Sequence, residues 1–161
     1  MRRTQMILNK STVDSKPGIK SLPKEYCTWQ EVEVLVEKLA DKIQRLGKKY
    51  DAILAITNGG IVPARLIARE LNIDDIQFIP IRNKKLFKNE MRPLLKGKKY
   101  LIIDEIYDTG NTFSKVLDSL KEYECDFAFL MNRYKNNNAR VVAKILNHGK
   151  YVVFPWERKD H

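Results

Sequence analysis

The stretch Tyr100-Leu101-Ile102-Ile103-Asp104-Glu105-Ile106-Tyr107-Asp108-Thr109-Gly110-Asn111-Thr112 constrains the fold more than any other part of the chain. Tyr100 to Ile103 is short, continuously apolar and β-prone, the pattern of a strand covered on both faces of a parallel sheet. Asp104 and Glu105 fall at its carboxyl end, where open parallel sheets bind ligands. Thr109 to Thr112 offers backbone N–H groups, hydroxyls and one glycine, and Phe113, Val116, Leu117 and Leu120 follow at helical spacing. A helix N-terminus carries unpaired N–H groups and partial positive charge, so it receives phosphate readily. Carboxylates beside a phosphate repel it unless they meet ligand hydroxyls or a Mg²⁺ ion. The stretch therefore predicts a sugar-phosphate site, with Asp108 left for proton chemistry.

The rest of the chain supplies elements around it. Thr28-Trp29-Gln30-Glu31 has the spacing of a capping box. Val32, Leu35, Val36, Leu39, Ile43 and Leu46 continue as a helix, with Gly47 where a C-cap belongs. Ala52 to Thr57 predicts a strand ending in the turn Thr57-Asn58-Gly59-Gly60, and Pro63 suits the first turn of the next helix. Strand, glycine turn and helix start form a second anion site of the same logic. Neither the dinucleotide fingerprint nor the P-loop motif occurs.

Ile76 to Ile81 predicts a third strand. Residues 82–99, with eight basic side chains and one acid, read as a mobile loop able to act as a lid. Asp126 to Met131 is strand-like, Asn132 to Asn138 is turn sequence, and Ala139 to Leu146 fits helix or extended chain equally well. Tyr151 to Glu157 is an aromatic-rich extended segment, and residues 1–20 read as an N-terminal arm. Strands alternating with helices predict an α/β fold, a doubly wound, mainly parallel sheet flanked by helices, in a single domain over residues 1–161.

Composition narrows the class. A chain of 161 residues with 43% hydrophobic content buries a real core. No apolar run is long enough to cross a membrane, and the N-terminus lacks the apolar core of a secretory signal. The two cysteines, Cys27 and Cys125, form no disulfide framework and fit a reducing, cytoplasmic setting. No motif pairs Cys27 with a histidine, so a structural thiol is expected there. The net charge of +10 attracts polyanions, either nucleic acid or a substrate with several phosphates.

The segment Ile102 to Thr112 resembles the phosphoribosyl-pyrophosphate motif of type I phosphoribosyltransferases: apolar strand, two acids, two residues, then Asp-Thr-Gly-x-Thr. Ala55-Ile56-Thr57-Asn58-Gly59-Gly60-Ile61-Val62-Pro63-Ala64 is similar to that family's pyrophosphate loop, and Ala68-Arg69-Glu70-Leu71 continues the match. Phe154-Pro155-Trp156-Glu157 and Tyr26-Cys27-Thr28-Trp29 resemble the xanthine-guanine-hypoxanthine branch. Together these matches run from about residue 26 to residue 157.

The resemblance implies a Mg²⁺-dependent purine salvage enzyme. It would move the 5-phosphoribosyl group from phosphoribosyl pyrophosphate to a 6-oxopurine and release pyrophosphate. Asp104 and Glu105 would take the ribose hydroxyls or the metal, and Asp108 would be the general acid/base. Thr109, Gly110, Asn111 and Thr112 would cradle the 5-phosphate with Asp108, while Thr57, Asn58, Gly59 and Gly60 would meet the pyrophosphate. Tyr151 would stack on the base, the Val152 carbonyl would read its edge, and Arg133, with Lys135 nearby, would bind the 6-oxo group. The resemblance also implies a small hood built from the terminal segments, a homodimer or homotetramer, and no nucleic-acid partner. Three positions depart from the family pattern: Asn58 stands where a basic residue is frequent, Arg133 where lysine is commoner, and the segment from Arg82 lacks a Ser-Tyr pair. The alternative is a regulator that senses phosphoribosyl pyrophosphate or nucleotides and binds nucleic acid; the charge and Asn58 favour it, while Asp108 and the closing aromatic segment oppose it.

Overall fold

The computed structural model describes residues 22–133 and 140–159. The expected N-terminal arm and Lys135 lie outside the described residues. Strand β1 (Lys24–Tyr26) leads into α1 (Trp29–Gln44). Thr28 caps that helix as its sequence predicts: its hydroxyl accepts the Glu31 N–H at 3.1 Å, and the Glu31 carboxylate accepts the Thr28 N–H at 2.6 Å. The helix ends two residues before the expected cap, at Arg45, and Gly47 takes a left-handed φ of 66° in the turn beyond.

Strands β2 (Ala52–Ile56), β3 (Ile76–Ile79), β6 (Lys99–Tyr107), β7 (Glu124–Asn132) and β8 (Arg140–Ile145) form one parallel sheet in the order β3-β2-β6-β7-β8. Helix α2 (Ile61–Leu71) connects β2 to β3, and α3 (Asn111–Leu120) connects β6 to β7. Strand residues alternate between two cores, as period-2 geometry requires. Ile53, Ala55, Leu101, Ile103, Ala128 and Leu130 pack beneath α1 and α2. Ala52, Leu54, Ile56, Ile102, Phe127 and Phe129 pack against Phe113, Val116 and Leu120 of α3. Burial on both faces explains why β2 and the start of β6 read as unbroken apolar runs.

Within the stretch Ala139 to Leu146, Arg140–Ile145 is extended chain that pairs with β7 from Phe127↔Arg140 to Asn132↔Ile145, and Ala139 lies outside the described residues. Periodicity could not show this, because only one flank of an edge strand is paired and its exposure is mixed. The expected third strand breaks at Pro80, which has no N–H for the ladder. Ile81–Arg82 (β4) then pairs with Lys85–Leu86 (β5) as a small hairpin. The 82–99 connection, expected to be a loop, thus begins with a hairpin and a turn of 3₁₀-helix over Lys88–Glu90. Arg82 grips Glu90 with two charge-assisted hydrogen bonds of 2.8 and 2.6 Å, and Leu86, Met91 and Leu94 pack on the α3-side core. Strand β9 (Tyr151–Val153) pairs in parallel with β1, so the two chain ends build a small separate ribbon, the hood that the resemblance implies.

Candidate active site

The sheet order reverses between β2 and β6: the chain leaves β2 toward β3 on one side and returns to β6 on the other. A crevice opens at such a switch point, outside the carboxyl ends of the strands. The pairing of β2 with β6 stops at Ala55↔Ile103, whereas β6 continues along β7 as far as Tyr107↔Asn132. Asp104 and Glu105 therefore lie within β6, not after it, at the point where β6 loses its neighbour on the β2 side. The turn 57–60 fills the vacated place. The Glu105 carboxylate lies directly against Gly59, and any side chain at that position would overlap it.

The two acids are poorly compensated. The Glu105 N–H donates to Asp104 Oδ1 at 2.9 Å, and Glu105 Oε2 is buried with no hydrogen-bond partner among the described residues. Burial, followed by the neighbouring Glu105 charge, raises the Asp104 carboxyl well above its usual range. Burial likewise holds Glu157 above the carboxylate range, with Glu105 adding to the effect, although Glu157 accepts the Phe154 N–H at 2.9 Å. Tyr151 is raised first by burial and then by Glu157 and Glu105. Tyr151, Glu157 and Glu105 thus share one electrostatic neighbourhood.

A raised carboxyl is protonated more readily in the folded than in the unfolded chain. Asp104 therefore costs stability as pH rises from the ordinary carboxylate range toward its raised value. Asp104→Asn removes that cost, so the ligand-free variant should melt above the wild type at neutral pH. Its melting temperature should also change less across this pH interval, as read by thermal unfolding at a series of pH values. A variant that melts lower at neutral pH would contradict the charge repulsion described here.

Two turns face the acids. In the first, Thr57 accepts the Ile81 N–H and donates to the Ile79 carbonyl through one hydroxyl, both at 3.3 Å. The Gly60 N–H is bonded to the Ile56 carbonyl at 2.8 Å. This leaves the N–H groups of Asn58 and Gly59 as the donors free for an anion among the described residues. In the second turn Gly110, at φ 84°, precedes α3, and the Tyr107 ring lies beneath it where a side chain would stand. The first turn of α3 carries no acid, so its N–H groups and dipole oppose no negative charge of their own. Asp104, Glu105, Asp108, Thr109, Gly110 and Thr112 line a cavity of about 220 Å³ here.

Asp108 lies at the rim, its side chain 51% exposed, and accepts Arg133 Nε at 2.9 Å through Oδ1. Arg133 Nη1 donates to the carbonyls of His148 and Lys150 at 2.9 and 3.0 Å. In the hood, the Tyr151 N–H and the Val153 carbonyl bond β1's flanking residues Pro23 and Cys27. Strand alternation then turns the Val152 carbonyl to the other edge of β9. Cys27 is buried, and burial pushes its thiol up to about 11, so it stays protonated at neutral pH. The sequence reading did not anticipate Glu157 beside Glu105, the Tyr107 ring beneath Gly110, or the capture of Arg133 by Asp108. Only Glu157 had a signal, its place in the Phe154–Glu157 segment.

A family model described as "Phosphoribosyl transferase domain" matches residues 24–144. A curated relative from Chromohalobacter salexigens, named xanthine-guanine phosphoribosyltransferase, is 31% identical over 139 residues, covering 81% of this chain and 82% of that protein. A protein of the same name from Idiomarina loihiensis is 24% identical and covers 84% of this chain and 88% of its own length. Among solved structures, the purine phosphoribosyltransferase of Pyrococcus horikoshii superposes with a TM-score of 0.67 at 27% identity, over 87% of this chain and 97% of that one. The xanthine-guanine-hypoxanthine phosphoribosyltransferase of Helicobacter pylori gives a TM-score of 0.71 at 18% identity, over 83% and 93% respectively.

Proposed function

The chain belongs to the phosphoribosyl transferase family, and from that membership we propose that it is a purine salvage enzyme. It transfers the 5-phosphoribosyl group of phosphoribosyl pyrophosphate to a 6-oxopurine (hypoxanthine, guanine or xanthine), giving a nucleoside 5′-monophosphate and pyrophosphate. The observation that carries this reading is the acid pair Asp104–Glu105, held at the switch point between two anion-receiving turns, with one carboxylate oxygen buried and without a hydrogen-bond partner among the described residues. The Asn58 and Gly59 amides suit the pyrophosphate end. The start of α3, with Thr109, Gly110, Asn111 and Thr112, suits the 5-phosphate. The ribose spans the two acids between them. Gripping both ends fixes the reacting carbon, which is how remote binding groups contribute to rate.

Mg²⁺, which the family generally uses with this substrate, fits the donor set. Among the described residues no three His, Cys, Asp or Glu side chains gather into a closed metal site. Mg²⁺ needs none, because one or two carboxylates suffice when substrate oxygens and water complete its shell. Bound at Asp104 and Glu105, the ion would offset the charge that develops on the leaving pyrophosphate.

In the transfer, the base forms its bond to C1 as the C1–O bond breaks, and that bond's electron pair leaves with pyrophosphate. The sugar passes through an oxocarbenium-like state, as in other glycosyl transfers. Asp108 takes the proton that the base's imidazole ring sheds. Tyr151 offers a stacking face and Val152 an outward carbonyl for the base edge. A cation at Arg133 prefers oxygen to an amino group at C6, which selects 6-oxopurines over adenine. The hairpin-led connection from residue 82 to residue 99 is proposed as the cover over the site, and the assembly as a homodimer or homotetramer. The nucleic-acid-binding regulator is not favoured, since the matched curated relatives are named as transferases. Pyrophosphate release, measured with Mg²⁺, phosphoribosyl pyrophosphate and each base in turn, tests the proposal. Release is expected with one or more 6-oxopurines and not with adenine or orotate; release with adenine alone would overturn the assignment of the base.

A further inference from the structure

We infer that Arg133 is a positioning residue for Asp108, tying the proton-accepting carboxylate to the segment that carries the base platform. This inference rests on the transferase reading and goes beyond it, because that reading uses Arg133 only as a contact to the base. The geometry is specific. A guanidinium presents five N–H donors in a rigid planar fork, and three of its donor contacts are already assigned. Nε holds Asp108 Oδ1 at 2.9 Å, and Nη1 bridges the His148 and Lys150 carbonyls at 2.9 and 3.0 Å.

The fork is well shielded, with the Arg133 side chain only 11% exposed while that of Asp108 is 51% exposed. The cation is thus the fixed member of the pair and the carboxylate the member it holds. Arg133 itself is anchored by its N–H to the Tyr107 carbonyl at 3.0 Å, at the end of β6. The segment it braces is anchored from the other side: His148 Nε2 lies 2.5 Å from the Glu25 carboxylate on β1, and the Lys150 N–H donates to His148 Nδ1 at 3.2 Å. Tyr151 follows directly.

One residue therefore links the end of β6, through its main-chain N–H, to the Asp108 carboxylate and the entrance to β9, through its planar guanidinium. Nη2 alone has no partner among the described residues, which leaves it as the donor for a 6-oxo group. A lysine could supply charge to that oxygen, but as a compact point charge on a flexible stem it cannot hold Asp108 and two carbonyls in fixed directions at once. This gives a physical reason for arginine at the position.

The test is a double-mutant cycle with Arg133→Lys and Asp108→Asn. Arg133→Lys should lower kcat by about tenfold or more, a part of the roughly 10²–10⁴-fold that general acid–base catalysis contributes, while KM for the base changes far less. If Arg133 acts through Asp108, the double variant should be no slower than Asp108→Asn alone, since coupled residues are not additive. An Arg133→Lys variant with wild-type kcat and a raised KM for the base would overturn the inference, as would losses that multiply in the double variant. A second cycle, in which Asp108→Ala removes the acceptor that Asp108→Asn keeps, is melted without substrate. The hydrogen-bonded pair predicts non-additive shifts in Tm, and additive shifts would overturn it even if no turnover were detected. Absence of turnover in the wild type with every base would reject the transferase reading instead, and the two failures stay distinct.

Discussion

Asp108→Asn is expected to lower turnover by about 10²–10⁴-fold, the usual contribution of a positioned proton acceptor, while phosphoribosyl pyrophosphate affinity stays close to that of the wild type. The substitution is nearly isosteric, and an amide oxygen can still accept the Arg133 Nε bond now made at 2.9 Å. What is lost is the basic oxygen. The groups assigned to the two phosphate ends are the Asn58 and Gly59 amides and the amides and hydroxyls of the turn at 109–112, and these do not depend on the charge at Asp108. The split between kcat and substrate affinity is therefore the signature. Steady-state kinetics together with a direct binding measurement checks it, and an equal loss in both would move Asp108 from proton transfer to substrate binding.

Gly60→Ala is expected to damage the fold and the site together. Gly60 has a φ of −79°, which any residue can adopt, so backbone freedom is not what the position requires. Space is. A methyl group there would stand 2.5 Å from the Ile103 carbonyl oxygen and 2.6 Å from that of Ile56. Both are main-chain atoms of the central strands, and they can yield only by parting β2 from β6 or by lifting α2 off its seat. Overpacking of this kind costs about 1–3 kcal/mol, or roughly 2–4 °C in melting temperature per kcal/mol for a domain of this size. Lifting α2 also withdraws the Asn58 and Gly59 amides, so turnover should fall in the protein that remains folded. Gly149→Ala is the control, because open space surrounds that position and its φ is not left-handed. Comparable melting losses for the two variants would refute the close packing described for Gly60.

Much of this architecture could be read from the chain. The Thr28 capping box, the apolar runs of β2 and β6, and the Asp108–Thr112 turn into α3 are local patterns, and local hydrogen bonding and periodicity determine them. What escaped the sequence depends on partners distant in the chain. Ala139 to Leu146 gave no clear period, because only pairing with β7 makes Arg140–Ile145 a strand. Asp104 and Glu105 read as residues following a strand, since acids are depleted in strand interiors. Their neighbour β7 nevertheless extends β6 past them. The 82–99 connection, read as a loop from its lysines, hides Leu86, Met91 and Leu94 that cover the α3-side core. For the site, the identity of the acids and turns was legible but their state was not. Nothing local signals that the Thr57 hydroxyl is committed to β3 and β4, that the Gly60 amide is already bonded, or that Arg133 holds Asp108.

Product identity is the sharpest test of the transfer itself. The purified protein is incubated with Mg²⁺, phosphoribosyl pyrophosphate and hypoxanthine, guanine or xanthine in separate reactions, and the products are identified by mass. The nucleoside 5′-monophosphate of one or more of these bases is expected in one-to-one yield with pyrophosphate, nearly disappearing in Asp108→Asn. Pyrophosphate without nucleotide, or no product from any of the three bases, would contradict the transfer.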